Sequence, residues 1–171
     1  MFKKISSELM TVLISVTVLV VLITSIVFTL LFSDYAIKEK EETLKTMAKN
    51  ISVLVARDEA STSSYNLKSI SDYNLFAKEV LSSQVWIVNR DGVFDRLHNS
   101  ADTPYNAKEL PSEGYACYER ALNGESFVTT EFSGYFGEKT ISVFVPVEVL
   151  SAEDEYCGVV AVHCSMSTIA A

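Results

Sequence analysis

The side chains in this chain that can do chemistry are two histidines, three cysteines, a scatter of carboxylates and eight tyrosines. His98 stands near Asp95 and Asp102. That grouping has ligands a cation accepts, but the plainer account is a polar strand end running into a loop. His163 shares a strand face with Cys157, Val159 and Ala161. It reads as a satisfied core or pocket residue rather than a metal ligand, and the two histidines are far apart in sequence. No nucleophile elbow, phosphate loop or metal-binding pair occurs. The expectation is therefore no catalytic domain, no metal and no cofactor in these residues. Binding is the chemistry left. A pocket between a sheet and the Asn99–Tyr118 segment would join polar groups to aromatic walls, as small-molecule sites do. Arg96, His98, Tyr105, Tyr118 and His163 are its candidate residues, with Arg96 the anchor if the ligand is a carboxylate. A cation on the acidic surface, or a protein partner, stays open beside a small molecule.

Cysteines bound the redox chemistry. An odd count, Cys117, Cys157 and Cys164, leaves at least one outside any intrachain disulfide. Cys157 and Cys164 are seven apart in one strand, on opposite faces and about 23 Å distant, beyond bonding reach. Cys117 pairs with either or with neither; three small buried residues in a cell that makes no disulfides is an equal account.

These groups must be positioned by elements the pattern reveals. From Leu9 to Phe32 run 24 residues without charge, Gly or Pro. As a helix they extend about 36 Å, longer than a hydrocarbon core of roughly 30 Å. Lys3 and Lys4 precede the run and hold residues 1–8 in the cytoplasm, which puts residues 33–171 outside. A cleaved signal peptide would have a shorter apolar run and a small-residue exit; Leu31-Phe32-Ser33-Asp34 is no such site. The chain holds 14 basic and 22 acidic residues; without Lys3, Lys4 and Glu8 it keeps 12 and 21 from residue 33 onward, a net charge of −9. That acidity argues against nucleic acid and against anionic lipid as partners.

Residues 33–60 continue as a helix, free of Gly and Pro and rich in Lys, Glu, Ala and Leu. Ile37, Leu44 and Ile51 recur every seven residues, with Met47, Leu54, Ala48 and Val55 beside them. This stripe is wider than a coiled-coil seam, so part of it packs on a sheet and part meets a second copy. Residues 61–66 break the pattern and 69–82 return to helical spacing. Val85-Trp86-Ile87-Val88 is a strand, Asn89-Arg90-Asp91-Gly92 a hairpin turn and Val93–His98 its return. A loop comes next, then a helix from Pro111 to about Leu122, closed by Asn123-Gly124. Strands at Ser126–Phe132, Lys139–Val149 and Tyr156–His163 complete the order, with Ser133–Gly137 a turn. Pro146 marks an edge or bulge, and a strand apolar on both faces, Tyr156–His163, is central. Trp86, Ile87, Val88, Val143, Val145, Val160 and Val162 are the expected core.

The expected fold is α+β: a membrane helix (9–32), a signalling helix (33–60), then a five-stranded antiparallel sheet with flanking helices (61–165), and the start of a following helix at 166–171. Val85–Gly92, then Ala121-Leu122-Asn123-Gly124-Glu125, then Val143–Val147 and Gly158–His163, in that order behind a span, resemble the extracytoplasmic PAS-like (single-Cache) sensor region of bacterial sensor histidine kinases. The resemblance covers essentially the whole chain. It implies a cell-membrane receptor whose input domain lies outside the cytoplasm, works as a homodimer and drives a kinase encoded elsewhere in the protein. Ile37, Leu44 and Ile51 would then lie on the pairing and signalling helix.

Overall fold

A computed structural model describes residues 2–60, 72, 75–79, 82–95, 103–149 and 155–168, with side chains of the first helix described over 9–57. It forms two compact units, residues 1–38 and 39–171.

Helix α1 is Phe2–Ala60. In the first unit its apolar side chains from Leu9 to Phe32 are all exposed, and the helix is long and apolar enough to cross a membrane. Four hydroxyls in this run turn inward to their own backbone. Ser15 donates to the Thr11 carbonyl (2.9 Å), Thr17 to Leu13 (2.8 Å), Thr24 to Val20 (2.8 Å) and Thr29 to Ser25 (2.9 Å). These hydroxyls are satisfied without water, which is the condition a lipid environment sets.

The second unit is built on a four-stranded antiparallel sheet in the order β1-β4-β3-β2. Its strands are β1 (Ser83–Asn89), β2 (Phe127–Thr129), β3 (Thr140–Glu148) and β4 (Tyr156–Ser165). Strand β4 is central, as its two apolar faces require: Val160 lies between Ile87 of β1 and Val145 of β3. Helix α2 (Ser112–Leu122) and a single helical turn, α3 (Ser133–Phe136), join β1 to β3 on either side of β2. Asp72 and residues 75–79 are helical.

Alternation divides the sheet into two faces. One carries Val85, Ile87, Ile141, Val143, Val160, Val162 and Cys164, all buried. The α1 stripe Leu44, Met47, Ala48, Ile51 and Ala56 is buried too, and residues of α1 and β3 line a common cleft. Stripe and sheet face thus cover each other. The other face carries Trp86, Val88, Phe144, Val159 and Ala161, which pack with Cys117, Tyr118 and Ala121 of α2 and with Phe132. Gly158 lets β1 close on β4, because a Cβ there would strike the Val88 carbonyl oxygen.

Three expectations change. The sheet has four strands rather than five: the return strand after the turn is reduced, among the described residues, to the bridges Val88↔Phe94 and Val93↔Asn106. The turn itself forms as read. Asn89 Oδ1 accepts from the N–H groups of Asp91 (3.1 Å) and Val93 (2.8 Å), and Gly92 takes φ +78°. Second, residues 133–137 are a turn of helix ended by Gly137 at φ +71°, and β2 is only three residues long. Because β2 pairs with Ser142–Phe144 alone, Pro146 sits where β3 has no outer neighbour, and the register shifts at Val147/Glu148. Third, Val145 is only half-buried, while the other six expected core residues are buried. All three cysteines are thiols. The end of the expected fourth helix, 169–171, lies outside the described residues; Met166–Thr168 is a 3-10 turn.

Candidate functional site

The sheet face away from α1 gathers six aromatic rings around one histidine. Trp86 is fixed by β1, His163 by β4, Ser142 and Phe144 by β3, and Phe132, Tyr135 and Phe136 by α3 and its approach. The register explains the meeting: His163 is directly opposite Ser142, and Trp86 directly opposite Ala161, two residues along the same face. Tyr135 and Phe136 meet Trp86 at ring-centre distances of 5.7 and 5.6 Å, Phe132 at 5.8 Å and Phe94 at 5.4 Å. His163 lies 4.1 Å from Trp86 and 4.9 Å from Phe132. Edge-to-face geometry prevails around Trp86, as ring quadrupoles prefer.

His163 is 2 % exposed. Burial among rings drives its imidazole down to about 3, so it is neutral at any physiological pH. Its Nδ1 is 2.8 Å from Ser142 Oγ. Ser142 is fully buried. If Nδ1 were the donor, the serine hydrogen would lack an acceptor; so Ser142 donates to Nδ1, and the ring hydrogen sits on Nε2. Among the described residues, His163 Nε2 and Trp86 Nε1 are the two buried side-chain atoms with no hydrogen-bond partner. Among the described residues, two N–H groups on neighbouring rings are thus buried with nothing to donate to.

Tyr118, by contrast, is committed to structure. Its hydroxyl lies 3.0 Å from the carbonyls of both Asn89 and Arg90, which ties α2 to the β1 turn. Tyr105 is 54 % exposed. Tyr118 borders a groove of about 310 Å³ with Arg90, Asn106, Lys108 and Tyr115, at the opposite end of β1 from His163. Five residues of strand separate Gln84, opposite His163, from Asn89, or about 17 Å. The structure does not bring Tyr118, Tyr105 and His163 together. Arg96 and His98 lie outside the described residues. Sequence reasoning placed His163 on a pocket face but missed its partners Ser142 and Trp86 as site residues. Strand alternation held that information once the β3–β4 register was known.

Cys117 is a second buried group at this face. Its thiol donates to Glu131 Oε2 at 2.9 Å. Burial, then that contact, pushes it up to about 12, so it is an unreactive thiol. A separate cleft of about 380 Å³ lies between α1 and the β2–β3 side, lined by Lys45, Lys49, Ser52, Phe127 and Pro146 among others. No group of three or more His, Cys, Asp or Glu among the described residues is placed to hold a metal.

The stripe residues proposed for a helix pair fare differently from one another. Ile37 is half-buried, but Leu44 and Ile51 are wholly buried in the chain's own core, so they face the sheet. Glu42, Thr46, Lys49 and Val53 occupy the more open side of the helix.

The fold is that of chemoreceptor sensory domains. The sensory domain of the Campylobacter jejuni chemoreceptor Tlp3 matches with a TM-score of 0.55 at 13 % identity, over 80 % of this chain and 57 % of that one. The ligand-binding domain of the Pseudomonas aeruginosa amino acid chemoreceptor PctC, in complex with GABA, matches at 0.54 and 18 %, over 81 % and 59 %. That of Pseudomonas fluorescens CtaA, in complex with L-valine, matches at 0.52 and 14 %, over 78 % and 57 %. The chain thus spans a little over half the length of these structures. No family model and no curated protein matches the sequence.

Proposed function

We propose that this chain is the extracytoplasmic sensory input of a membrane receptor, anchored by residues 9–32, in which a small molecule bound at the sheet face of Trp86 and His163 alters how the sheet holds α1. The observation that carries this reading is the pair of buried, unpartnered N–H donors on the face opposite α1. A domain that needed only a core would have filled that position with an apolar residue. The likeness to sensory domains, some captured with L-valine or GABA, supports small-molecule sensing. One helix, α1, carries both the span-length apolar run and the stripe buried on the sheet. A shift of an ångström or two in that packing is the size of displacement by which receptors signal.

The resemblance in sequence favours a histidine kinase as the output, and a homodimer as the working form. The fold neighbours are chemoreceptors, which supports a chemotaxis module as the second reading. Fusing the chain to each kind of output in a reporter cell separates them. A ligand class that both raises the melting temperature of the full chain and drives either fusion is the expected result. If no amino acid, uncharged metabolite or divalent cation does so, a membrane-anchored interaction protein without signalling output is the reading that survives.

A further inference from the structure

The cleft of about 380 Å³ on the seam between α1 and the β3 edge has a lining of its own, which includes neither Trp86 nor His163. Its place follows from the shortness of β2. That strand pairs with Ser142–Phe144 and leaves β3 at Phe127, so it does not cover Val145 and Pro146, which line the cleft from the sheet side. From the helix side come Lys45, Lys49 and Val53, at i, i+4 and i+8, a stripe of α1 next to the one buried on the sheet. Val53 is 40 % exposed and Val145 is half-buried. The cleft thus sets apolar surface that the core has not used beside two ammonium groups.

Two lysines one turn apart on a helix repel each other. Lys45 is paired with Glu42 at 2.7 Å, but the pair is exposed and three residues apart, the kind that a second anion can share or displace. An anion held between Lys45 and Lys49 meets both charges and relieves their repulsion. Glu148 also lines the cleft and is exposed. From residue 33 onward the chain carries a net charge of −9. The wider field therefore opposes anions, and any that bind must be held by local contacts. Apolar contact with Val53, Val145 and Pro146 supplies the rest of the grip. The volume lies at the small end of small-molecule sites, about 300–1,000 Å³.

We infer that this cleft is a second ligand site, distinct from the Trp86 and His163 face, for a small organic anion: its carboxylate or phosphate head lies on Lys45 and Lys49 and its apolar body lies against Val145 and Pro146. Such a ligand touches α1 and β3 at once. It braces the helix against the sheet edge, and so acts on the same element as the first site without needing it.

The test uses the full chain in nanodiscs of phosphatidylcholine, which offers no net anionic headgroup. Calorimetric titrations compare hexanoate, phenylacetate and phenyl phosphate with the neutral phenylacetamide and the cationic phenethylamine. At least one of the three anions is expected to bind saturably, and the amide and amine at least tenfold more weakly. The order of phenylacetate and phenyl phosphate identifies the head. Lys49→Gln is expected to weaken the bound anion about tenfold, the loss of one charged contact. Lys139→Gln removes the same charge six residues of strand from Val145, about 20 Å, and is expected to change nothing. Amide hydrogen exchange is expected to slow in residues 45–56 when the anion is bound. Saturation by none of the three anions, equal binding of phenylacetamide, or wild-type affinity in both Lys45→Gln and Lys49→Gln would overturn the inference. So would slowed exchange around Trp86 and His163 in place of 45–56, a result the wild-type protein gives even if a variant does not fold.

Discussion

Acidification offers a direct measure of how thoroughly the fold encloses His163. Its folded-state value is near 3 against an ordinary 6.5, and burial is the cause. Between those values the unfolded chain binds a proton that the folded chain refuses. The unfolded state therefore holds more protons, and stability falls as pH falls, the slope approaching about 1.4 kcal/mol per pH unit. The contribution is fully present above about pH 6.5; about 2 kcal/mol of it is gone at about pH 5, and about 4 kcal/mol by about pH 3. Against a total stability of about 5–15 kcal/mol, that single side chain can decide whether the domain survives mild acid. The control is His163→Gln, whose amide oxygen still accepts from Ser142 but does not titrate in this range. Urea unfolding of the full chain, followed by Trp86 fluorescence, gives the stability of both proteins across the range. Carboxylate titrations are common to the two and cancel in the difference. The wild type is expected to lose about 2 kcal/mol more than the variant between about pH 7 and about pH 5. Parallel curves would refute the argument, because they would mean that the folded histidine takes its proton as readily as the unfolded one.

Other substitutions probe the remaining parts. Val160→Asp puts an unpaired charge in the central strand at a position with no exposure and is expected to cost about 3 kcal/mol or more, read as the loss of the cooperative melt. Gly158→Ala drives a methyl into the Val88 carbonyl and is expected to lower stability by about 1–3 kcal/mol; an unchanged melting temperature would contradict the β1–β4 pairing. Iodoacetamide, followed by mass spectrometry of intact protein, is expected to modify half-buried Cys157 well before Cys117, whose thiolate is scarce. In a cysteine-free background, single cysteines at Thr46 and Val53, on the more open side of α1, are expected to crosslink two copies before those at Leu44 and Ile51; equal rates at all four would remove the helix pair from the proposed dimer.

The sequence made the periodic parts of this fold legible because burial imposes periodicity. The 24-residue apolar run, the heptad-spaced stripe and the alternation in 139–149 each reflect one environment sustained over many residues. Strand β4 was recognisable as central because both its faces are apolar. What failed to show was short or non-local. The turn of helix at Ser133–Phe136 has too few residues to carry a period. That the return strand shrinks to two bridges among the described residues depended on how far the chain after Gly92 runs beside β1, which no local pattern fixes. The division of the α1 stripe was equally hidden: one heptad spacing serves a sheet or a second helix, and only the tertiary contact assigns Leu44 and Ile51 to the sheet. The site suffered most. Its members come from three strands and α3, and Ser142 and His163 are adjacent only through a register that pairs residues 21 apart.

That register also defines the path a signal has available. β4 alternates, so His163 on the proposed ligand face stands between Val162 and Cys164 on the face α1 covers. The two sides are one residue apart along the chain. A ligand that draws on the His163 ring pulls on the backbone that seats Val162 and Cys164, and a packed core passes such a shift on rather than absorbing it. The same strand is held on both flanks, by Val85 opposite Val162 and by Ile141 opposite Cys164. Both of those side chains are also buried on the α1 side. A displacement at His163 therefore meets α1 through three adjoining strands at once, which favours a shift of the helix as a body over the local give of one side chain.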